Sequence, residues 1–207
     1  MSDDERRAHW DAAYASKGDE GVSWFEGTPA VSLDLIRKHA AVAMSSLIDI
    51  GGGASRLVDA LLDEGMTAIT VLDLSPAALE AARARLCARA DQVHWIAADV
   101  TEWKPERAYD IWHDRAAFHF LTDPDDRAAY IERLEAAVTP GGHAIIATFA
   151  PDGPARCSGL PVVRYDPAAL ADVIGPSFRL VEAITHQHKT PWNSAQAFQF
   201  SVLERVR

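Results

Sequence analysis

The stretch Ser46 to Ser55, SLIDIGGGAS, limits the folds open to this chain more than any other segment. A short apolar run ends in an acid and three successive glycines, and a helical pattern follows. The spacing predicts a buried strand from Leu47 to Ile50, a tight turn at Gly51, Gly52 and Gly53 where no Cβ obstructs the backbone, and a helix whose unpaired N–H groups face a ligand. The pattern then repeats. A helix is expected over Ala54–Glu64, closed by Gly65, then a strand over Ala68–Leu72 and a helix capped by Ser75 with Pro76 at its first position, running to Arg89. Strands at Val93–Ala97, Tyr109–His113 and His143–Phe149, with a helix over Asp125–Val138 and a turn at Thr139–Gly142, continue the alternation. Such a rhythm argues for a mostly parallel sheet covered by helices on both faces.

The two ends depart from it. Near the N-terminus, Trp10 and Tyr14 lie one helical turn apart, Trp24 and Phe25 follow a glycine-bounded loop, and Pro29 opens a further amphipathic helix. At the C-terminus, a helix near Pro167–Ile174 precedes two strand-like runs, Phe178–His188 and Ala195–Leu203. Only Lys189–Ser194 separates them, too little for a crossover helix, so an antiparallel hairpin is expected. The expected architecture is a single Rossmann-like α/β domain over residues 1–207, with an N-terminal helical lid at 1–45 and the core at 46–207.

The bulk properties exclude several classes of function. No apolar run approaches the roughly 18 residues of a membrane span, the charged opening MSDDERRAHW is no signal peptide, and a net charge of −10 without a basic stripe argues against nucleic acid. Cys87 and Cys157 are too few for a disulfide framework, so a cytoplasmic setting is expected; the oligomeric state is not assigned.

An open parallel sheet binds its ligand beyond the carboxyl ends of its strands. Here those ends are acidic, at Asp49, Asp73, Asp99 and Asp114, with Asp73 about 20 residues beyond the glycine turn, where a carboxylate accepts ribose hydroxyls. Arg56 stands where a dinucleotide motif needs its third glycine, and an acid-lined pocket suits a positive sulfonium. After the fourth strand, Asp114 and His119 are the candidate groups for the chemistry: His119 as a base, Asp114 as an anchor for an amino group, each with packing or pairing as the plainer alternative. His186 and His188 share a face of a strand, and with Cys157 or His119 they have the chemistry to bind a metal. Surface or lining roles are commoner, and no metal ligands are assigned.

DIGGGAS at Asp49, VLDLSPAAL at Val71, AADV at Ala97 and TPGGHAIIATF at Thr139 resemble successive motifs of the class I S-adenosylmethionine-dependent methyltransferases. The resemblance implies a seven-stranded sheet ending in an antiparallel hairpin. It implies that Gly51, Gly52 and Gly53 approach the methionine and ribose, Asp73 the ribose hydroxyls, Leu74 the adenine, and Asp99 and Val100 the adenine edge. HWDAAY at His9, SWF at Ser23 and HDRAAF at His113 are similar to the branch containing the elongation-factor and citrate-synthase lysine methyltransferases, and the D-R-A segment equally to bacterial thiopurine and thiol methyltransferases. This narrower likeness implies that Trp10, Tyr14 and Trp24 contact S-adenosylmethionine and that Arg115 replaces a family lysine. The expected acceptor is a small molecule, a thiol or other soft nucleophile. A protein lysine is the alternative, and a cofactor-binding module without catalysis the further one.

Overall fold

The strand Ser46–Ile50 (β1) is buried on both faces, which explains why it reads as a nearly continuous apolar run rather than an alternation. In the computed structural model, which describes residues 3–18 and 20–206, β1 lies inside a seven-stranded sheet. Its parallel neighbours are β2 (Ala68–Asp73) and β4 (Tyr109–Arg115); β3 (Val93–Ala97) extends β2, and β5 (Val138–Phe149) extends β4. A small ribbon, β6 (Arg156–Cys157) with β7 (Leu160–Pro161), follows β5, and the chain returns as β8 (Phe178–Lys189) and β9 (Ala195–Arg205). β9 runs antiparallel to β5 and β8 antiparallel to β9, giving the order β3-β2-β1-β4-β5-β9-β8. The expected sheet and terminal hairpin are both present.

Alternate residues of β1 feed two apolar layers. Leu47 joins Leu33, Leu35 and Ile36 of α2 (Ala30–His39) and Leu57 and Leu61 of α3 (Leu57–Asp63) on one face. Ile48 and Ile50 join Trp112 of β4, Tyr130 and Leu134 of α5 (Pro124–Ala137), and Leu170 of α6 (Pro167–Ile174) on the other. The helix α4 (Pro76–Leu86) crosses from β2 to β3 with Ser75 as its N-cap, its Oγ accepting from Ala78 N–H at 3.1 Å.

Three boundaries differ from expectation for local reasons. α3 starts at Leu57 instead of Ala54 because Gly51 and Gly53 hold positive φ angles and the turn continues through Ser55, whose N–H donates to the Gly52 carbonyl. α4 ends at Leu86, short of Arg89, because Cys87 adopts φ +53° and a 3-10 turn runs over Cys87–Gln92. The turn expected at Thr139–Gly142 is a bulge inside β5: Tyr109 pairs with Val138 and Ile111 with His143, so four residues oppose the single Asp110. Near the N-terminus, α1 (Asp3–Lys17) packs on α4 across the carboxyl edge of the sheet. No helix among the described residues is long and apolar enough to cross a membrane.

Candidate active site

A cleft runs along the carboxyl edge of the sheet, following the strand order. At one end lie Ala98, Asp99 and Val100 after β3, then Leu72, Asp73 and Leu74 at the end of β2, then Ile50 and Gly51 after β1. The other end is made by Arg115, Ala116, Ala117, Phe120 and Leu121 after β4, Cys157 of β6, and Gln196 and Phe198 of β9. Arg6, Trp10 and Tyr14 of α1, with Trp24, roof the cleft. Nine residues expected from the sequence to contact the cofactor therefore line one space: Trp10, Tyr14, Trp24, Gly51, Asp73, Leu74, Asp99, Val100 and Arg115.

The glycines earn their place by contact. A Cβ on Gly52 would lie 2.6 Å from Asp49 Oδ2 and 2.8 Å from Val71 Cγ1, and one on Gly53, whose φ is +45°, would lie 2.8 Å from Tyr14 Oη and 3.0 Å from Asp73 Oδ2. Asp49 does not line the cleft. It is buried behind the glycines, with Oδ1 2.7 Å from His113 Nδ1, whose Nε2 lies 2.9 Å from Ser32 Oγ, so it ties the turn to β4 and α2. Gly52 and Gly53 are likewise buried beneath the cleft floor, and only Gly51 lines it.

Asp73 accepts from Ser75 N–H at 2.7 Å. Burial, together with the charges of Asp49 and Asp11, pushes its carboxyl up to about 7 against the lowering effect of the backbone hydrogen bonds. Burial and the Asp73 charge raise the Tyr14 phenol above its ordinary value, so that hydroxyl stays neutral. Asp99 accepts from Thr101 N–H and Oγ1–H at 2.8 and 2.6 Å, and its second oxygen meets the Arg6 guanidinium at 3.0 Å. Trp10 packs edge-on against Trp24 and Phe120, with ring centroids 5.7 and 4.9 Å away, and Tyr14 lies 6.1 Å from Trp24. A cradle free of Cβ atoms, a buried carboxylate and a cluster of aromatic rings fit a cofactor that carries a ribose and a cationic sulfur.

Arg115 donates to the Trp24 carbonyl at 2.8 Å and lies 3.6 Å from Glu26 Oε2. Burial alone would raise the Glu26 carboxyl, but the His188 hydrogen bond and the Arg115 charge override it and hold the group below the usual range.

The two groups expected to serve the chemistry do not reach the cleft. Asp114 is fully buried: it accepts from Ala117 N–H at 2.8 Å, from Phe118 N–H at 3.0 Å and from the Tyr130 hydroxyl at 2.7 Å, and Trp112 Nε1–H donates to that same hydroxyl at 2.8 Å. Burial raises its carboxyl to about 6 despite these bonds. The carboxylate thus closes the turn that β4 makes into a 3-10 segment, where Ala116 has φ +71°. His119 is also fully buried, packed on Phe120 and Phe149 at 4.5 and 4.8 Å, with Nδ1 3.4 Å from Phe149 N. Desolvation drops its imidazole to about 3, so it stands behind the wall formed by Phe120 as an uncharged, poor base.

Three lining residues carried unread signals. Arg6 precedes Trp10 by one helical turn, as Trp10 precedes Tyr14, so all three share a face. Gln196 and Phe198 are two apart on a strand and point the same way.

A methyltransferase-domain family model matches residues 48–144. The trans-aconitate 2-methyltransferase of Methylobacterium radiotolerans is 29% identical, over 84% of this chain and 71% of that protein. Malonyl-[acyl-carrier protein] O-methyltransferase 1 of Ilyobacter polytropus is 26% identical over 54% of this chain, a match that spans 40% of its length. Among solved structures, the Burkholderia thailandensis 1,6-didemethyltoxoflavin-N1-methyltransferase, bound to 1,6-didemethyltoxoflavin and S-adenosylhomocysteine, superposes with TM-score 0.74 at 21% identity, covering 100% of this chain and 92% of that one. The N-methyltransferase NodS of Bradyrhizobium japonicum, in complex with S-adenosylhomocysteine, gives TM-score 0.70 at 17% identity over 95% and 98% of the two chains.

Proposed function

Because the chain is a class I S-adenosylmethionine-dependent methyltransferase, we propose that it methylates a small acceptor whose nucleophile arrives already deprotonated, with a carboxylate as the leading class. The bound cofactor would supply a methyl group on a positively charged sulfur, and the acceptor's lone pair must stand in line with it.

The observation that carries this reading is the composition of the cleft end opposite the two acids. Among the described lining residues there, Arg115 is the charged group, Cys157 contributes a thiol, and no imidazole or carboxylate is present. A lysine ammonium, with an ordinary pKa of about 10.4, would have to lose a proton at that place, whereas a carboxylate has none to lose. Asp114, the acid that could have marked a rim for a lysine, is sealed in the core. Arg115 would attract an anionic acceptor and orient it, while Trp10, Trp24 and Phe120 would exclude water. With an activated donor, such positioning is worth up to roughly 7–11 kcal/mol in well-oriented reactions. Asp73 would accept the ribose hydroxyls, and Asp99 and Val100 would flank the adenine edge. The names of the two curated relatives, which concern trans-aconitate and a malonyl group, point in the same direction. The two cysteines, Cys87 exposed and Cys157 buried, form no disulfide with one another, which accords with a reducing cytosol.

The test is a screen of carboxylic acids, thiols and amines with radiolabelled cofactor at saturating concentration, followed by a pH profile of kcat/KM for the acceptor. For a carboxylate the profile should be flat between about pH 6 and 8, because carboxylates ionise near 4. A tenfold rise per pH unit over that range, the signature of a thiol or amine that must first ionise, would reject the proposal.

A further inference from the structure

Outside the cleft, behind Trp24, three side chains from distant parts of the sequence converge. Glu26, His186 and His188 each direct one donor atom to a common point, all within 4.8 Å of one another. The two histidines lie on the inward face of β8, two residues apart, and Glu26 follows the aromatic segment that roofs the cleft.

The hydrogen bonding gives each group a definite orientation. His188 Nε2 is 2.7 Å from the Ser23 carbonyl, and a carbonyl only accepts, so Nε2 carries the proton. His188 Nδ1 faces Glu26 Oε1 at 3.2 Å, and His186 Nε2 faces the same oxygen at 3.9 Å. The other oxygen, Oε2, is held by Arg115 at 3.6 Å. At 3.2 Å, His188 Nδ1 and the carboxylate oxygen are joined either by a proton on Nδ1 or by a cation that both atoms ligate. Ligand atoms about 2.0–2.2 Å from a tetrahedral metal lie roughly 3.3 Å apart, close to the first spacing and a short side-chain adjustment from the second. An imidazole that donates its remote N–H to a backbone carbonyl, and a carboxylate steadied through its second oxygen, are the outer contacts that metal ligands receive.

We propose that Glu26, His186 and His188 bind one divalent transition-metal ion, zinc(II) by the chemistry of the donors, which fastens the Trp24 segment to the terminal hairpin. Two imidazoles and one carboxylate suit zinc, and the fourth position is open to water or a small anion. His186 is half-exposed and gives the ion a route in, while His188 is buried. Cys157 and His119, considered from sequence as partners for the two histidines, are not part of the cluster; Glu26 fills that place. By compensating the Glu26 carboxylate, the ion would leave more of the Arg115 charge to the cleft.

The decisive measurement uses the full chain, freed of metal by chelator and dialysis, with neither cofactor nor acceptor present. Titration with zinc chloride by calorimetry should show one site per chain, and cobalt(II) should give the visible absorption of a low-coordinate nitrogen–oxygen site. Glu26→Gln and His186→Ala should each weaken binding by at least about tenfold. Circular dichroism would verify that His186→Ala, a change at a half-exposed edge-strand position, keeps its fold. Absence of stoichiometric binding, or equal affinity in both variants, would overturn the site and leave an imidazole–carboxylate clasp in its stead. Since no methyl transfer is measured, either result stands apart from the acceptor assignment.

Discussion

Asp73 is buried and, on the proposed placement of the ribose, would accept its hydroxyls, which would link its protonation to both folding and cofactor binding. Its carboxyl is raised to about 7, so the folded protein without cofactor retains a proton that the unfolded chain, with an ordinary value of 3.8, releases. This contribution to stability is present below about pH 4 and is lost as pH rises through 7. Ribose hydroxyls donating to the carboxylate favour its charged form, so below about pH 7 cofactor binding should expel a proton. Calorimetry at pH 6 in buffers of different ionisation enthalpy should reveal that release. Asp73→Asn should abolish it and weaken binding by about 1.5–3 kcal/mol, the range for a hydrogen bond to a charged group. An unchanged proton count would remove Asp73 from the ribose site. His119 illustrates the opposite case. In AAFHFL a short 3-10 segment gives no periodicity to separate inward from outward side chains, so only the fold reveals that its ring faces Phe149. The carboxylate of Asp114 stands at a strand end, as sequence suggests, yet the backbone reverses at Ala116 and the N–H groups of Ala117 and Phe118 claim it.

At the level of elements, α1 depends on a few polar contacts for its seat. Arg6 reaches Asp99 and Asp126 at 3.0 and 3.1 Å, and Asp11 accepts from the Ser75 hydroxyl at the start of α4. Both Arg6 contacts are partly exposed, so each is worth on the order of 1 kcal/mol or less. Arg6→Ala should therefore weaken cofactor affinity by roughly 1 kcal/mol in calorimetry while lowering the melting temperature of the cofactor-free protein by no more than about 4 °C. A large drop in that temperature would mean that α1 supports the fold itself. The first strands and their crossover helices could be read from the sequence because β1 and β2 are largely apolar runs bounded by glycine or a capping serine. The Trp10–Tyr14 face was equally legible, because a helix fixes which side chains meet. What could not be read is the contact of Glu26 with His188, 162 positions away, since no local rule reports which loop a distant strand will meet.

For the whole molecule, the net charge of −10 bears on the acceptor before it reaches Arg115. An anionic acceptor is repelled at long range, and the Debye length shrinks from about 30 Å at 0.01 M salt to about 8 Å at 0.15 M. Over that interval kcat/KM for a carboxylate acceptor should rise, by less than about tenfold, whereas a cationic acceptor should show a fall; stopped assays at constant pH and saturating cofactor would distinguish the two. The aromatic roof has a temporal consequence as well. Trp10 is wedged edge-on between Trp24 and Phe120, and Arg6, Trp10 and Tyr14 of α1 line the cleft together with Cys157 of β6 and Gln196 and Phe198 of β9. If lifting of α1 gates the cofactor end, the Arg6→Ala enzyme should release S-adenosylhomocysteine faster in stopped-flow displacement; an unchanged rate would reject such a gate.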